Sequence, residues 1–159
     1  MAISMTPLEV EDILAGAQGE CFATIEGNRY QFASVKELDT KMEKSKTEVF
    51  VLGRTGALNK PTGWKGTGEC TIYYNQSVLR KLMYRYKQTG EDIYFDMQVS
   101  NDDASTNRGR QTVILKNCNL DGMTLAKIVA GEDPLEEDVS FTFDDWEMPE
   151  EFSISNNTL

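Results

Sequence analysis

Histidine is absent from the 159 residues, and that shapes every reading of the side chains that could carry chemistry. Without imidazole the usual general base, the usual partner of a nucleophile and the commonest zinc ligand are all missing. Catalysis would have to run on carboxylates, lysine or tyrosine. The densest carboxylates are Glu132-Asp133 and Glu136-Glu137-Asp138. Alternation along an extended chain puts Glu136 and Asp138 on one side and Glu137 on the other, so they make no acid/base pair by themselves. Asn101-Asp102-Asp103 lacks the spacing and the glycine of a calcium loop and reads as a solvated turn. Gly63, Gly66 and Gly68 suggest a phosphate cradle, but they lead into a strand and not into a helix N-terminus, and no G-x-x-x-x-G-K-[ST] string occurs. Cys21, Cys70 and Cys118 are odd in number and contain no C-x-x-C pair, so they read as small, buried, reduced hydrophobes. No catalytic, cofactor-binding or metal-ligating residue is assigned. Arg54, Lys60, Trp64 and Lys65 mix basic and aromatic groups, as a nucleic-acid patch does. The cluster is short, though, and an exposed loop or a loop docked on another subunit fits it better.

The charge is distributed unevenly. The net charge is −10, yet residues 1–127 hold 16 acidic and 16 basic side chains, while the residues after Lys127 hold ten acidic and no basic ones. An imbalance confined to one end describes a local acidic surface, which repels phosphate. Apolar residues make up 40% and charged residues 26%, the composition of an ordinary globular domain. No window is apolar enough to span a bilayer, and the first fifteen residues carry Glu9, Glu11 and Asp12 where a signal peptide would be basic. The expectation is a protein made in a cytoplasm, without signal peptide or membrane anchor.

The elements that would position these residues are short strands. Thr6-Pro7-Leu8-Glu9 resembles a capping box, with Leu8, Ile13 and Leu14 as an apolar stripe, so residues 1–18 read as a short helix or an arm. Cys21, Ala23 and Ile25 alternate before a Gly27-Asn28 turn and a return through Tyr30 and Phe32. Residues 35–52 predict two strands, with Lys41–Lys46 as an exposed turn or protruding hairpin between them. Residues 53–68, with five glycines and Pro61, predict a long irregular loop. Glu69–Tyr74 alternates again. Leu79, Leu82, Met83 and Tyr86 recur at helical spacing and predict the one helix, about Gln76 to Gln88, with Asn75 as its cap, Gly90 as its stop and Arg80 on the solvated side. Ile93–Val99 and Gln111–Leu120 read as strands, Asp121-Gly122 as a hairpin turn, and Met123, Leu125 and Val129 as the returning strand. Leu135, Val139, Phe141 and Phe143 alternate inward against Glu136, Asp138 and Asp144 outward. The sum is a mainly β fold: an antiparallel β-sandwich or barrel over residues 19–152 with one helix packed across it, and a loose tail over 153–159.

Gly53-Arg54, Lys60-Pro61-Thr62-Gly63 and Gly66-Thr67-Gly68, followed by the run Leu135 to Trp146, resemble the tail tube proteins of PBSX-type (XkdM-like) prophages. The likeness extends from about Gly19 to Pro149. It implies a β-sandwich subunit that closes into hexameric rings, which stack into a hollow tube inside a contractile sheath. The implied partners are further copies of itself, sheath and baseplate or initiator proteins, and genomic DNA that passes without specific binding; no cofactor and no membrane partner is implied. The implied location is the tail of a phage, or of a phage-derived killing particle, assembled in the host cytoplasm.

Two surfaces acquire expected roles from this resemblance. Glu136, Asp138 and Asp144 would help keep the bore of the tube negative, so that DNA slides without sticking. Arg54, Lys60, Trp64 and Lys65 would contact a neighbouring subunit or ring. The competing expectation is a monomeric β-sandwich ligand-binding module with an aromatic groove drawn from Trp64, Tyr73 and Trp146.

Overall fold

The computed structural model describes residues 7–32 and 34–154. The chain is mainly β, with eight strands and one α-helix among the described residues: β1 Gly19–Ile25, β2 Asn28–Gln31, β3 Val35–Val49, β4 Leu58–Tyr73, α1 Val78–Thr89, β5 Phe95–Asp102, β6 Arg110–Met123, β7 Glu136–Phe143 and β8 Asp145–Glu150. They are distributed over two compact units.

The first unit contains the described parts of 1–33, 96–115 and 146–159. Its strands run β2-β1-β5-β6, with β8 also beside β6. The first hairpin turns one residue earlier than the sequence suggests. Ile25 faces Asn28 across a two-residue loop in which Glu26 and Gly27 both take positive φ, 51° and 81°. That is the geometry matching the right-handed twist of the flanking strands. Alternation on β1 buries Cys21, Ala23 and Ile25, which join Met97 and Leu115 in the core of this unit.

The N-terminal segment, 7–18, holds two 3₁₀ turns, Val10–Asp12 and Gly16–Gln18. The expected apolar stripe does not form: Leu8 and Ile13 are exposed, and Val10 is 88% exposed. The Thr6 cap lies outside the described residues; the cap that is present lies later, where the Glu9 N–H donates to Asp12 Oδ2 at 2.9 Å.

The second unit holds 34–95 and 116–145, and its strands run β6-β7-β4-β3 with α1. Ile72, Leu79, Phe95, Cys118, Val139, Phe141 and Phe143 form its core. The helix starts after Ser77 and ends at Gly90, whose φ of 74° supplies the left-handed stop. Leu79 is buried, Leu82 and Met83 are half-buried, and Tyr86 is exposed, so the apolar stripe ends one turn early.

Three expectations for this unit are corrected. The charged run 41–46 is no turn, because β3 continues through it to Val49. Cross-strand partners on β4 satisfy its backbone, which removes the need for turn chemistry at those charges. The 53–68 loop is mostly strand, because β4 begins at Leu58 and only 50–57 connects the hairpin. Gly66 and Gly68 sit in the strand because aromatic rings occupy the space of their missing side chains. A Cβ at Gly66 would fall against the ring of Phe143, and one at Gly68 against Phe141. Finally, Asp121-Gly122 is a bulge inside β6, where Leu120 faces Phe141 and Gly122 faces Ser140 with Asp121 unpaired between them. Gly122 lacks the positive φ of a hairpin turn, and Leu125 and Val129 are exposed, with no return strand.

Candidate functional site: a projecting hairpin and an acidic sheet face

The hairpin is the most distinctive element of the second unit. β4 pairs with β7 only from Gly66 to Tyr73, whereas it pairs with β3 out to Leu58 facing Val49. Among the described residues its distal half is therefore a two-stranded ribbon with no third strand, a structure of marginal stability in water. Phe50, Val51, Leu52 and Leu58 at its end are exposed, and apolar side chains gathered at an unsupported tip mark a contact surface.

Register assigns the named residues to faces. Lys65 faces Glu43, and Lys60 faces Thr47 across a register shift between Ser45 and Lys46, so both lysines project from one face of the ribbon. Arg54 lies in the connecting segment. Trp64 points to the opposite face, with its ring 6.4 Å from that of Phe143 at 47°. The structure thus joins Lys60 to Lys65 and separates Trp64 from them. Tyr73 lies on the lysine face, so it shares no groove with Trp64.

The same lysine face, followed toward the body of the sheet, becomes acidic. Across the strands lie the rows Glu37, Thr71, Asp138 and Asp39, Glu69, Ser140, then Lys41, Thr67, Thr142. Four carboxylates thus stand against Lys41. Asp121, displaced by its bulge, lines a cleft on this face with Asp39, Glu43 and Glu69. Asp39 and Glu69 are direct cross-strand partners, a like-charge arrangement that weakens a sheet. Asp138 accepts from Thr71 Oγ1 at 3.0 Å. Glu136 receives Lys36 Nζ at 2.6 Å, a hydrogen bond that raises the pKa of that lysine. Asp144 follows β7 and is exposed, its N–H donating to the Lys116 carbonyl at 3.1 Å.

Sequence reasoning placed Glu136 and Asp138 on this side of β7 but missed Glu37, Asp39 and Glu69. The alternation of Glu69–Tyr74 is present in the sequence, but which strands flank it is not; reading 35–52 as two strands hid that Glu37 and Asp39 stand beside Thr71 and Glu69.

The opposite side of β7 holds a buried ion pair. Glu137 Oε2 receives the Arg80 guanidinium, and Gln76 Nε2 donates to Glu137 Oε1 at 3.1 Å. The same guanidinium donates to the Gln76 carbonyl and lies 4.5 Å from the centre of the Tyr74 ring. Arg80 therefore pins the helix to the sheet and does not solvate it. Burial, with the Asp138 and Glu137 carboxylates adding, pushes the Cys70 thiol up to about 12, so it is a protonated packing group at neutral pH.

Comparison with known proteins gives this arrangement a family. Residues 6–150 match the family described as phage tail tube protein. The chain is 36% identical over 146 residues to phage-like element PBSX protein XkdM of Bacillus subtilis (strain 168), covering 92% of this chain and 97% of that one. Its fold is similar to the SPP1 tail tube (TM-score 0.62, 13% identity, 90% of this chain and 81% of that one). It is also similar to a chain of the sheath–tube complex of the extracellular contractile injection system PVC (TM-score 0.61, 11% identity, 89% and 90%). The match to the family over residues 6–150 and the 36% identity over nearly the whole of both chains show that the chain belongs to the family of phage tail tube proteins.

Proposed function

We propose that the chain assembles into stacked rings of six, forming the tube of a contractile tail, with the acidic face of β6-β7-β4-β3 lining the bore. The observation that carries this reading is the row of carboxylates Glu37, Asp39, Glu69 and Asp138 on one sheet face, including the like-charge pair Asp39–Glu69. A sheet keeps such a pair at a cost in stability, which is reasonable where the face works by repelling a polyanion. DNA phosphates meeting a wall of the same sign are not captured, and the wall needs no base recognition. Glu136 and Asp144 extend the negative charge of β7 in this reading.

The projecting hairpin, with Arg54, Lys60, Trp64 and Lys65, makes the contacts between neighbouring subunits or rings. A ribbon unsupported in its own chain gains its third partner from the next copy. The ring size of six follows the resemblance to PBSX-type tail tube proteins. The role is structural, not enzymatic. Sheath and baseplate or initiator proteins are the further partners, and the place of work is a virion or virion-like tail built in the host cytoplasm.

Electron microscopy and light scattering of the purified protein test this reading. Rings or tubes are expected, and the double substitution Lys60→Glu with Lys65→Glu is expected to reduce them at low salt. A strict monomer in the presence of the cognate initiator would contradict it.

A further inference from the structure

Two exposed apolar surfaces of the chain carry opposite charge. At the hairpin tip Phe50, Val51 and Leu52 stand in solvent, Leu52 completely. Residues 49–60 include Arg54 and Lys60 and no carboxylate. In the N-terminal segment Leu8, Val10 and Ile13 are exposed, and residues 7–18 hold Glu9, Glu11 and Asp12 with no basic side chain.

The N-terminal segment is held in an inverted sense, polar side in. Asp12 pairs with Arg108 at 3.3 Å, both side chains nearly buried. The Glu11 carbonyl accepts from the Asn107 N–H at 3.0 Å and from Thr106 Oγ1 at 2.7 Å. Asp103, itself buried, accepts from the Ala15 N–H at 2.8 Å. The backbone is thus anchored by hydrogen bonds, while Leu8, Val10 and Ile13 are left largely in solvent.

We propose that the hairpin tip of one copy seats on the N-terminal segment of a second copy. Phe50, Val51 and Leu52 cover Leu8, Val10 and Ile13, and Arg54 and Lys60 face Glu9 and Glu11. This rests on the tube reading and names the surface that receives the hairpin. Two different patches on one chain make a heterologous contact, which propagates head to tail instead of closing on itself. The apolar and charged parts of the two patches match in kind and sign, and a second copy supplies one receiver for every tip.

The test is disulfide trapping in the full-length chain carrying Val10→Cys and Leu52→Cys. Background is low because Cys21 and Cys118 are buried and the Cys70 thiol is held protonated. A bond requires Cα atoms within about 7 Å. Mild oxidation of assembled tubes is expected to give a ladder of covalent oligomers that neither single variant gives. Tubes that form without a ladder would overturn the inference and leave the tube reading standing. Cross-linking by the Leu52→Cys variant alone would overturn it as well, because tip would then meet tip. If the unsubstituted chain forms no tubes with its initiator, the tube reading itself falls and takes this inference with it. A second measurement uses charge: Glu11→Lys is expected to slow assembly roughly tenfold at low salt, and Arg54→Glu in the same chain to restore the rate. Failure of that rescue would overturn the pairing.

Discussion

Arg80 and Glu137 show how much one residue pair can decide. Removing one partner strands a buried charge, whereas removing both does not. Arg80→Met is expected to destabilise the fold by about 3–5 kcal/mol, and Arg80→Met with Glu137→Leu to recover most of that loss in denaturant unfolding. Near-additive losses would show that the pair is not the unit that matters. Strand parity alone put Glu137 on the inner side of β7. Its partner was not legible, because nothing in the helical spacing of Leu79, Leu82 and Met83 shows that Arg80 turns toward the sheet. The glycines carry a second prediction of this scale. Gly68→Ala would force a methyl group against the Phe141 ring and is expected to cost about 1–3 kcal/mol. Gly63→Ala meets open space and is expected to be neutral or slightly stabilising. Equal effects on the melting temperature would contradict the ring-over-glycine account.

At the scale of elements, β3 and β4 were the hardest to read and carry the most consequence. The helix, the first hairpin and β7 were visible because their periods are clean and because Gly90 and Gly27 mark a helix end and a turn, although the turn itself falls at Glu26-Gly27 and not at Gly27-Asn28. β3 was obscured by its charges and β4 by its glycines. Charge suggests a turn only where the backbone lacks partners, and glycine suggests a loop only where no ring fills its place. Neither condition can be seen without the cross-strand register.

The N-terminal segment carries a pH prediction. Ser105 Oγ, donating at 2.7 Å, together with the Ala15 and Ser105 N–H groups holds the Asp103 carboxyl below its usual range. The Glu9 N–H, with Arg108 beside it, holds Asp12 down as well. Groups depressed in the folded state contribute stability that is present above the unfolded-chain value of 3.8 and is lost as the pH falls through their lower folded values. Hydrogen exchange of residues 7–18 is therefore expected to be pH-insensitive in its protection near neutrality and to begin losing that protection as the pH falls below 3.8. Asp103→Asn is expected to weaken the protection at neutral pH. Unchanged protection at pH 3 would contradict the anchoring role of these carboxylates.

Charge placement is the organising feature at the scale of the molecule. The sequence shows an acidic end after Lys127, and part of the acidic surface is indeed there, in Glu136 and Asp138. The structure adds Glu37, Asp39 and Glu69 from a stretch whose net charge is close to balanced, so the acidic face is a property of register more than of composition. The same register carries the sheet face on into Lys60 and Lys65 of the hairpin, and one continuous face therefore changes sign along its length. Assembly through the basic part is expected to weaken as salt rises, because exposed charges are screened beyond a Debye length of about 8 Å at 0.15 M ionic strength. Sedimentation of tubes across a salt series checks this, and assembly that strengthens with salt would assign the contact to apolar burial alone.

Cryo-electron microscopy of the assembled tube would show which sheet face meets the bore. Glu37, Asp39, Glu69 and Asp138 are expected to turn toward the lumen, with Trp64 and Phe143 on the side away from it. A tube in which these four carboxylates are buried against a neighbouring subunit, or face outward, would contradict that expectation.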